Sequence, residues 1–271
     1  MKYPYGKKVF LTGGSSGIGL AAARLLAANG YEVYAASRNP QMDFSDYPGG
    51  GSIHPVKADV CDLSSVDAAA SALPDDISII VHCAGIGIAC PGEEYPSDAV
   101  TLQMRTNFDG VLIVNSRFLS RLRKRGGGLC IIIGSVAGVF AVPYQSHYSA
   151  SKAALDSYSA ALRMELREFG VKVSLVMPGD TSTGFTASRT YDIDESSPYY
   201  DSCLRAVGKM EKDEINGRSP ESVAKAILRI CGQKLPPLRR VIGFEYKLLV
   251  FLRRLLPGRL IEYILRKMYI G

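Results

Sequence analysis

Tyr148 and Lys152 stand four residues apart in Y-S-A-S-K, the spacing that puts two side chains on one face of a helix. A phenol ionises near pH 10, so using it as an acid or base at pH 7 costs about 4 kcal/mol unless a neighbouring cation favours the phenolate. Lys152 is placed to supply that cation. Ser135 ends an apolar run, Leu129 to Gly134, at the strand edge where parallel sheets present ligands, and its hydroxyl is suited to holding a substrate oxygen. Tyrosine and lysine four apart are common by chance; their weight comes from what precedes them.

What precedes them is K-V-F-L-T-G-G-S-S-G-I-G, from Lys8 to Gly19: a strand running into a glycine turn that opens a helix. Such a turn lets the backbone approach a pyrophosphate, while the helix N-terminus supplies free N–H groups and a positive dipole end. Gly13, Ser15, Ser16, Gly17, Ile18 and Gly19 are the candidate cofactor contacts, spaced G-x-x-x-G-x-G. The carboxylate that would bind the ribose hydroxyls of NAD belongs about 20 residues further on. No Asp or Glu lies between Glu32 and Asp43, and Ser37-Arg38 stands in that place. A guanidinium there pairs with a 2′-phosphate, so NADP(H) is favoured over NAD(H).

The elements that must hold these groups follow from the apolar pattern. Lys8 to Thr12, Glu32 to Ser37, Ile53 to Ala58, Ile77 to Cys83, Leu129 to Ser135 and Val171 to Met177 read as strands with helices between them. Strands apolar throughout and separated by helical segments predict an α/β fold, a doubly wound parallel sheet of Rossmann type. Helices are expected over Gly17 to Asn29 and Ser146 to Phe169, closed by Gly30 and Gly170. Asn39 to Ser52 reads as a loop, and residues 180 to 218 as a long polar lid. A last strand, Leu238 to Gly243, is followed by two helical pieces split at Pro257-Gly258. The expected organisation is one catalytic domain, 1 to 243, with an amphipathic helical extension, 244 to 271.

Composition sets the partner classes. A chain of 271 residues, 47% hydrophobic and 21% charged, buries an ordinary core without metals or disulfides, and its six cysteines form no C-x-x-C pair. The N-terminal apolar run is too short for a signal peptide, so a reducing, cytoplasmic setting is expected. The net charge of +6 is concentrated: residues 239 to 271 hold eight Lys/Arg against two Asp/Glu, leaving 24 against 24 elsewhere. A neutral body argues against nucleic acid as a partner. In the tail Arg259, Glu262 and Arg266 share one face while Leu260, Ile261, Ile264, Leu265 and Met268 share the other. That stripe either packs on the body or a second subunit, or lies in a membrane interface. His82, His147 and Cys130 read as packing, and the cationic helix end Arg121, Arg123, Lys124, Arg125 as complementing the helix dipole without a partner.

Taken together these residues resemble the short-chain dehydrogenase/reductase family over residues 7 to about 243. The glycine motif, Asp59-Val60, Cys83-Ala84-Gly85, Asn107 in R-T-N-F-D-G, Ser135, Tyr148, Lys152, and Pro178-Gly179 with Thr183 closing P-G-x-x-x-T all match. The resemblance implies a catalytic tetrad of Asn107, Ser135, Tyr148 and Lys152, with Asn107 ordering a water that links Lys152 to solvent. It also implies that Asp59 contacts the adenine, Ala84 and Gly85 line the cofactor, and Thr181 and Thr183 hold the nicotinamide amide. Cys83 departs from the family, which often has Asn there; the expected effect is on stability alone. The Ala-Ser-Arg ending of the second strand, the V-F-A-V-P-Y-Q-S-H-Y-S-A-S-K stretch and the basic, apolar tail look like the hydroxysteroid and retinol dehydrogenase branch. The expected activity is an NADP(H)-dependent interconversion of a secondary alcohol and a ketone on an apolar substrate such as a steroid, bile acid or retinoid. A 3-oxoacyl or 3-ketosphingoid reductase is the alternative enzyme, and a non-catalytic NADP(H) sensor the alternative class. A homo-oligomer, dimer or tetramer, is expected.

Overall fold

In the computed structural model the described residues are 3–40, 45–94, 97–191 and 193–271. The elements run β1 (Lys8–Thr12), α1 (Gly17–Ala28), β2 (Glu32–Ser37), β3 (Ser45–Asp46), β4 (Ser52–Lys57), α2 (Leu63–Ala72), β5 (Ile79–His82) and β6 (Ile88–Ala89). They continue with α3 (Ser97–Met104), α4 (Gly110–Lys124), β7 (Gly128–Ile133), α5 (Ser146–Glu165), β8 (Val171–Met177), α6 (Gly184–Ala187) and β9 (Thr190–Tyr191). The chain closes with α7 (Tyr200–Ile215), α8 (Pro220–Cys231), β10 (Arg239–Val241), α9 (Phe244–Leu252) and α10 (Gly258–Tyr269). The main sheet has the order β10-β8-β7-β5-β1-β2-β4-β3, parallel except for the short edge strand β3. The chain winds outward from β1 through β2 to β4, then returns to β5 on the other side of β1 and proceeds to β10. Strand order therefore reverses at β1 and β5, the place where such sheets open a crevice at their carboxyl ends.

Alternation along each strand feeds two cores. Val9 and Leu11 of β1 point to the layer of α1 and α8, while Phe10 between them packs with Val66 of α2, Phe118 of α4 and Leu155 of α5. Phe10 stacks on Phe118 at 4.3 Å between ring centroids. Both faces are covered, which is why the strands are apolar without a polar face.

The strands and the two capped helices stand within two residues of their expected bounds, α5 being prolonged to Phe169 by a 3-10 turn, Arg167–Phe169. Three features differ. Residues 180 to 218 are not a lid without structure: they contain α6, β9 and the sixteen-residue helix α7. Cys203, Ala206, Val207 and Met210, spaced i, i+3, i+4 and i+7, form the buried face of α7 within an otherwise polar stretch. Residue 192 lies outside the described residues. The loop expected over Asn39 to Ser52 includes β3, while residues 41–44 lie outside the described residues. The cationic end of α4 does have partners: Arg121 Nη2 donates to the Ala70 carbonyl at 2.7 Å and Arg125 Nη1 to that of Tyr5 at 2.5 Å. These arginines tie α4 to α2 and to the N-terminal segment.

Candidate active site

The turn after β1 is shaped by contacts that only glycine permits. Gly13 sits at φ +70°, and a Cβ there would fall 2.7 Å from the Ala84 amide nitrogen; one on Gly19 would meet the Gly13 carbonyl oxygen at 2.0 Å. The turn is thus pressed against the end of β5, and α1 against the turn. Ser16 precedes α1 in extended conformation without capping it, and no acidic residue occupies the first turn, so the helix's N–H groups and dipole are left for an anion. Next to this cradle, at the end of β2, the Ser37 hydroxyl is buried without a partner and Arg38 is exposed. A cradle that a Cβ would fill and an orphaned hydroxyl beside a cation fit a dinucleotide with its phosphates on α1.

Ser135 follows β7 and caps a 3-10 turn, Val136–Gly138, its Oγ accepting from the Ala137 N–H at 3.1 Å. That turn lies on α5, because a Cβ on Gly138 would come within 2.8 Å of the Lys152 backbone. The contact brings Ser135 to Tyr148. Burial pushes the Tyr148 phenol up to about 12, and its hydrogen bond with Ser135 acts in the opposite direction. Lys152, one turn on, is buried, and burial brings its ammonium down to about 8. Its Nζ donates to the Ile133 carbonyl at 3.1 Å and lies 5.6 Å from the centroid of the Tyr148 ring.

Asn107 lies in a π-helical turn, Arg105–Asp109, between α3 and α4, and is fully buried. Its Oδ1 accepts from the Ile86 N–H at 2.8 Å, while Nδ2 donates to the Ile86 carbonyl at 3.0 Å and to Ser151 Oγ at 3.1 Å. Both amide hydrogens are used, so the side chain clamps the segment after β5 to α5. One lone pair of Oδ1 is what remains for a water.

One cavity of about 730 Å³ is lined by Gly13, Ser16, Gly17, Ile18, Gly19, Ala84, Gly85, Ser135, Tyr148, Lys152, Pro178, Gly179, Thr181 and Thr183. Cys83 also lines it, and burial pushes its thiol up to about 12, leaving it protonated. Ser15, Ser37, Arg38, Asp59, Val60 and Asn107 are not among its lining residues. Asp59 Oδ1 accepts from the Cys61 N–H at 2.9 Å, and Thr181 Oγ1 donates to the Gly179 carbonyl at 2.9 Å. Thr183 caps α6 through the Phe185 N–H. His82 is buried and bonded to Asn115 Oδ1 at 2.9 Å, and His147, half-buried, does not line the cavity.

Among the further lining residues are Phe185, Tyr246, Asp180 and Gln145. Phe185 of α6 packs 5.8 Å from Tyr148, ring to ring. Tyr246 of α9 covers the backbone of Gly179; its hydroxyl donates to the Asp180 carboxylate and accepts the Asp180 N–H at 3.1 Å. Burial raises Asp180 above the usual carboxylate range. Gln145 stands one turn before Tyr148. Gln145 and Asp180 lie within reach of a sequence signal, the first through its spacing from Tyr148 and the second as a variable position of P-G-x-x-x-T; Phe185 and Tyr246 arrive by tertiary packing alone. Leu249, Leu252, Leu256, Ile261, Ile264, Leu265 and Met268 complete the apolar wall.

When bound, a nicotinamide cofactor supplies or takes the hydride. The side chains gathered in the cavity are chemically able to do the rest: a phenol can give or take a hydroxyl proton, a serine hydroxyl can hold an oxygen, and a buried ammonium can bias the phenol.

The short chain dehydrogenase family model matches residues 7–194. The chain is 36% identical to 3-ketodihydrosphingosine reductase of Bacteroides thetaiotaomicron over 267 residues, covering 96% of this chain and 97% of that one. It is 28% identical to retinol dehydrogenase 8 of Bos taurus over 93% of this chain and 86% of that one. Two solved structures share the fold: a Burkholderia cenocepacia short chain dehydrogenase in complex with NADP (TM-score 0.75, 22% identity, 99% of each chain), and a Burkholderia phymatum short chain dehydrogenase/reductase in complex with NAD (TM-score 0.78, 23% identity, 94% of this chain and 95% of that one). With the strand-turn-helix cradle and the Ser135, Tyr148, Lys152 constellation in one cavity, the chain belongs to the short-chain dehydrogenase family, oxidoreductases that act on CH–OH groups with a nicotinamide cofactor.

Proposed function

We propose that the protein is an NADP(H)-dependent reductase of long-chain 3-keto amphiphiles of the ketosphingoid kind, with Asn107, Ser135, Tyr148 and Lys152 as its working tetrad. The observation that carries this reading is the cavity, which joins Tyr148 to an apolar wall of C-terminal helix. Its charged lining is Asp180, Asp213, Glu214 and Glu245 against Lys152 and Arg253. Asp213, Glu214 and Glu245 are paired with Lys209, Arg189 and Arg218 behind the wall, so the charges are largely balanced there, and it is the apolar wall that suits an alkyl chain. The 36% identical relative named for a ketosphingoid activity supports the same choice over a steroid or retinoid. Arg38 beside the orphaned Ser37 hydroxyl supports NADP(H). Reduction of a long-chain 3-keto-2-amino alcohol, followed by loss of NADPH absorbance beside steroid, bile-acid, retinoid and 3-oxoacyl substrates, tests the proposal. Preferential turnover of a steroid or retinoid overturns the substrate class, and preference for NADH overturns the cofactor.

The tail supports a second element of the proposal, a peripheral contact with an anionic membrane. While one face of α9 and α10 lines the cavity, Phe244 (76% exposed), Phe251 (57%) and Leu255 (66%) face outward. Lys247, Arg253, Arg254, Arg259, Arg266 and Lys267 flank them, all exposed. Charge complementarity favours acidic headgroups as the occupant of that face. Among the described residues no helix is long and apolar enough to cross a membrane, so the contact is interfacial.

A further inference from the structure

Gln145 is a polar group of the cavity that the tetrad does not employ. It is 6% exposed and lines the cavity that holds Ser135 and Tyr148, yet its Nε2 has no hydrogen-bond partner. A buried amide donor left unpaired is costly, and such groups are paired in nearly all folded proteins. The cost is not offset by a local structural role: Gln145 precedes α5 but its side chain makes no capping bond. Its backbone, by contrast, is firmly held. The N–H donates to the Val142 carbonyl at 3.2 Å and the carbonyl accepts from the Ser149 N–H at 2.9 Å.

The residue before it shows how that position is held. Tyr144 lies at φ +60°, a conformation a tyrosine seldom adopts. Its carbonyl accepts from the Cys90 N–H at 2.9 Å and its hydroxyl pairs with Ser202 Oγ of α7 at 2.5 Å. Two distant segments thus hold a strained turn whose next residue presents an unpaired amide one helical turn from the phenol.

We propose that Gln145 is a specificity-determining residue, whose Nε2 donates to an acceptor oxygen carried by the substrate a carbon or two from the reacting carbonyl. This deepens, and for its substrate rests on, the ketosphingoid reading: such a molecule carries a hydroxyl oxygen in a 1,3 relation to its ketone. A plain ketone would leave the amide unpaired in the closed complex, and a site built to bond an oxygen rejects an analogue that lacks it.

The test compares a long-chain 2-amino-3-ketone bearing the 1-hydroxyl with its 1-deoxy counterpart, in the wild type and in Gln145→Leu. The wild type should favour the hydroxylated substrate by about tenfold or more in kcat/KM, the scale of one hydrogen bond lost in a desolvated site. In Gln145→Leu the ratio should fall towards one through loss on the hydroxylated substrate only, mostly in KM. Gln145→Asn should recover part of it, and the unfolding midpoint should not drop, because no intramolecular bond of Nε2 is removed. Equal losses on both substrates, or a lower midpoint, would assign the side chain a structural role and overturn the proposal. If neither long-chain ketone is reduced, it is the substrate reading that has failed. The same comparison with 4-hydroxybutan-2-one and butan-2-one, which share the 1,3 relation without the chain, then decides for or against Gln145.

Discussion

Lys152 reaches towards Tyr148 but gives its hydrogen bond elsewhere: Nζ stands 5.6 Å from the centroid of the phenol ring and donates to the Ile133 carbonyl. Burial acts on the two groups in opposite directions, raising the phenol to about 12 and lowering the ammonium to about 8. Both shifts favour the neutral form, as desolvation does. Against burial, the Ser135 hydrogen bond acts first on the phenol and the charge of Arg189 after it.

Tyr148→Phe removes the proton donor and leaves the glycine cradle untouched. Turnover should fall at least about 100-fold, the lower bound for general acid/base catalysis. NADPH affinity measured by fluorescence titration should stay within about threefold, less than the loss of one neutral hydrogen bond typically brings. Near-normal turnover would remove Tyr148 from the mechanism.

Lys152 is expected to serve activity at a cost in stability. Its folded value, about 8, lies below the value near 10.4 of an unfolded lysine. Between those two pH values the unfolded chain holds the extra proton, so this group's contribution rises as pH rises from about 8 to about 10.4, and below 8 the full cost remains. Lys152→Met should be inactive yet more stable at pH 7 by up to about 3 kcal/mol, less about 1 for the lost bond to Ile133. Urea denaturation at pH 7 and pH 10 measures it; a gain that grows with pH would contradict the assignment.

For the cofactor, Arg38→Asp exchanges attraction for repulsion at the 2′-phosphate. The preference for NADP(H) over NAD(H) should drop by about 2–4 kcal/mol. Parallel kcat/KM values for the two cofactors give the answer directly, and an unchanged ratio would show that Arg38 does not contact the phosphate.

At the tail, Phe251→Ser with Leu255→Ser removes outward side chains that do not line the cavity, and Arg254→Glu with Lys267→Glu reverses two flanking charges. Full-length protein should co-sediment with vesicles rich in phosphatidylserine at low salt and be released as salt shortens the screening length. Either double variant should weaken binding, the charge pair by about 10-fold or more at roughly 1 kcal/mol per cation. Protein that stays in the supernatant at low salt while sedimenting as a dimer would assign the face to a second copy.

Much of this protein is local in origin and legible in the sequence alone. The strand-turn-helix signature at Lys8–Gly19 depends on glycines that accept positive φ and close backbone approach, both properties of the residue type. The uniformly apolar strands announce a sheet covered on both faces, and a spacing of four places Tyr148 and Lys152 together on α5. Other features depend on which distant surfaces meet. That α9 covers Gly179 through Tyr246, that Phe185 stands against Tyr148, and that Asn107 commits both amide hydrogens to Ile86 and Ser151 are matters of tertiary packing. Helix α7 carries a regular apolar period, Cys203, Ala206, Val207 and Met210, but the polar composition of residues 180 to 218 around it reads as loop. The tail's amphipathic stripe is visible in sequence, but only the packed structure divides it between a face that lines the cavity and one that does not, because burial is decided by the partner surface and not by the helix.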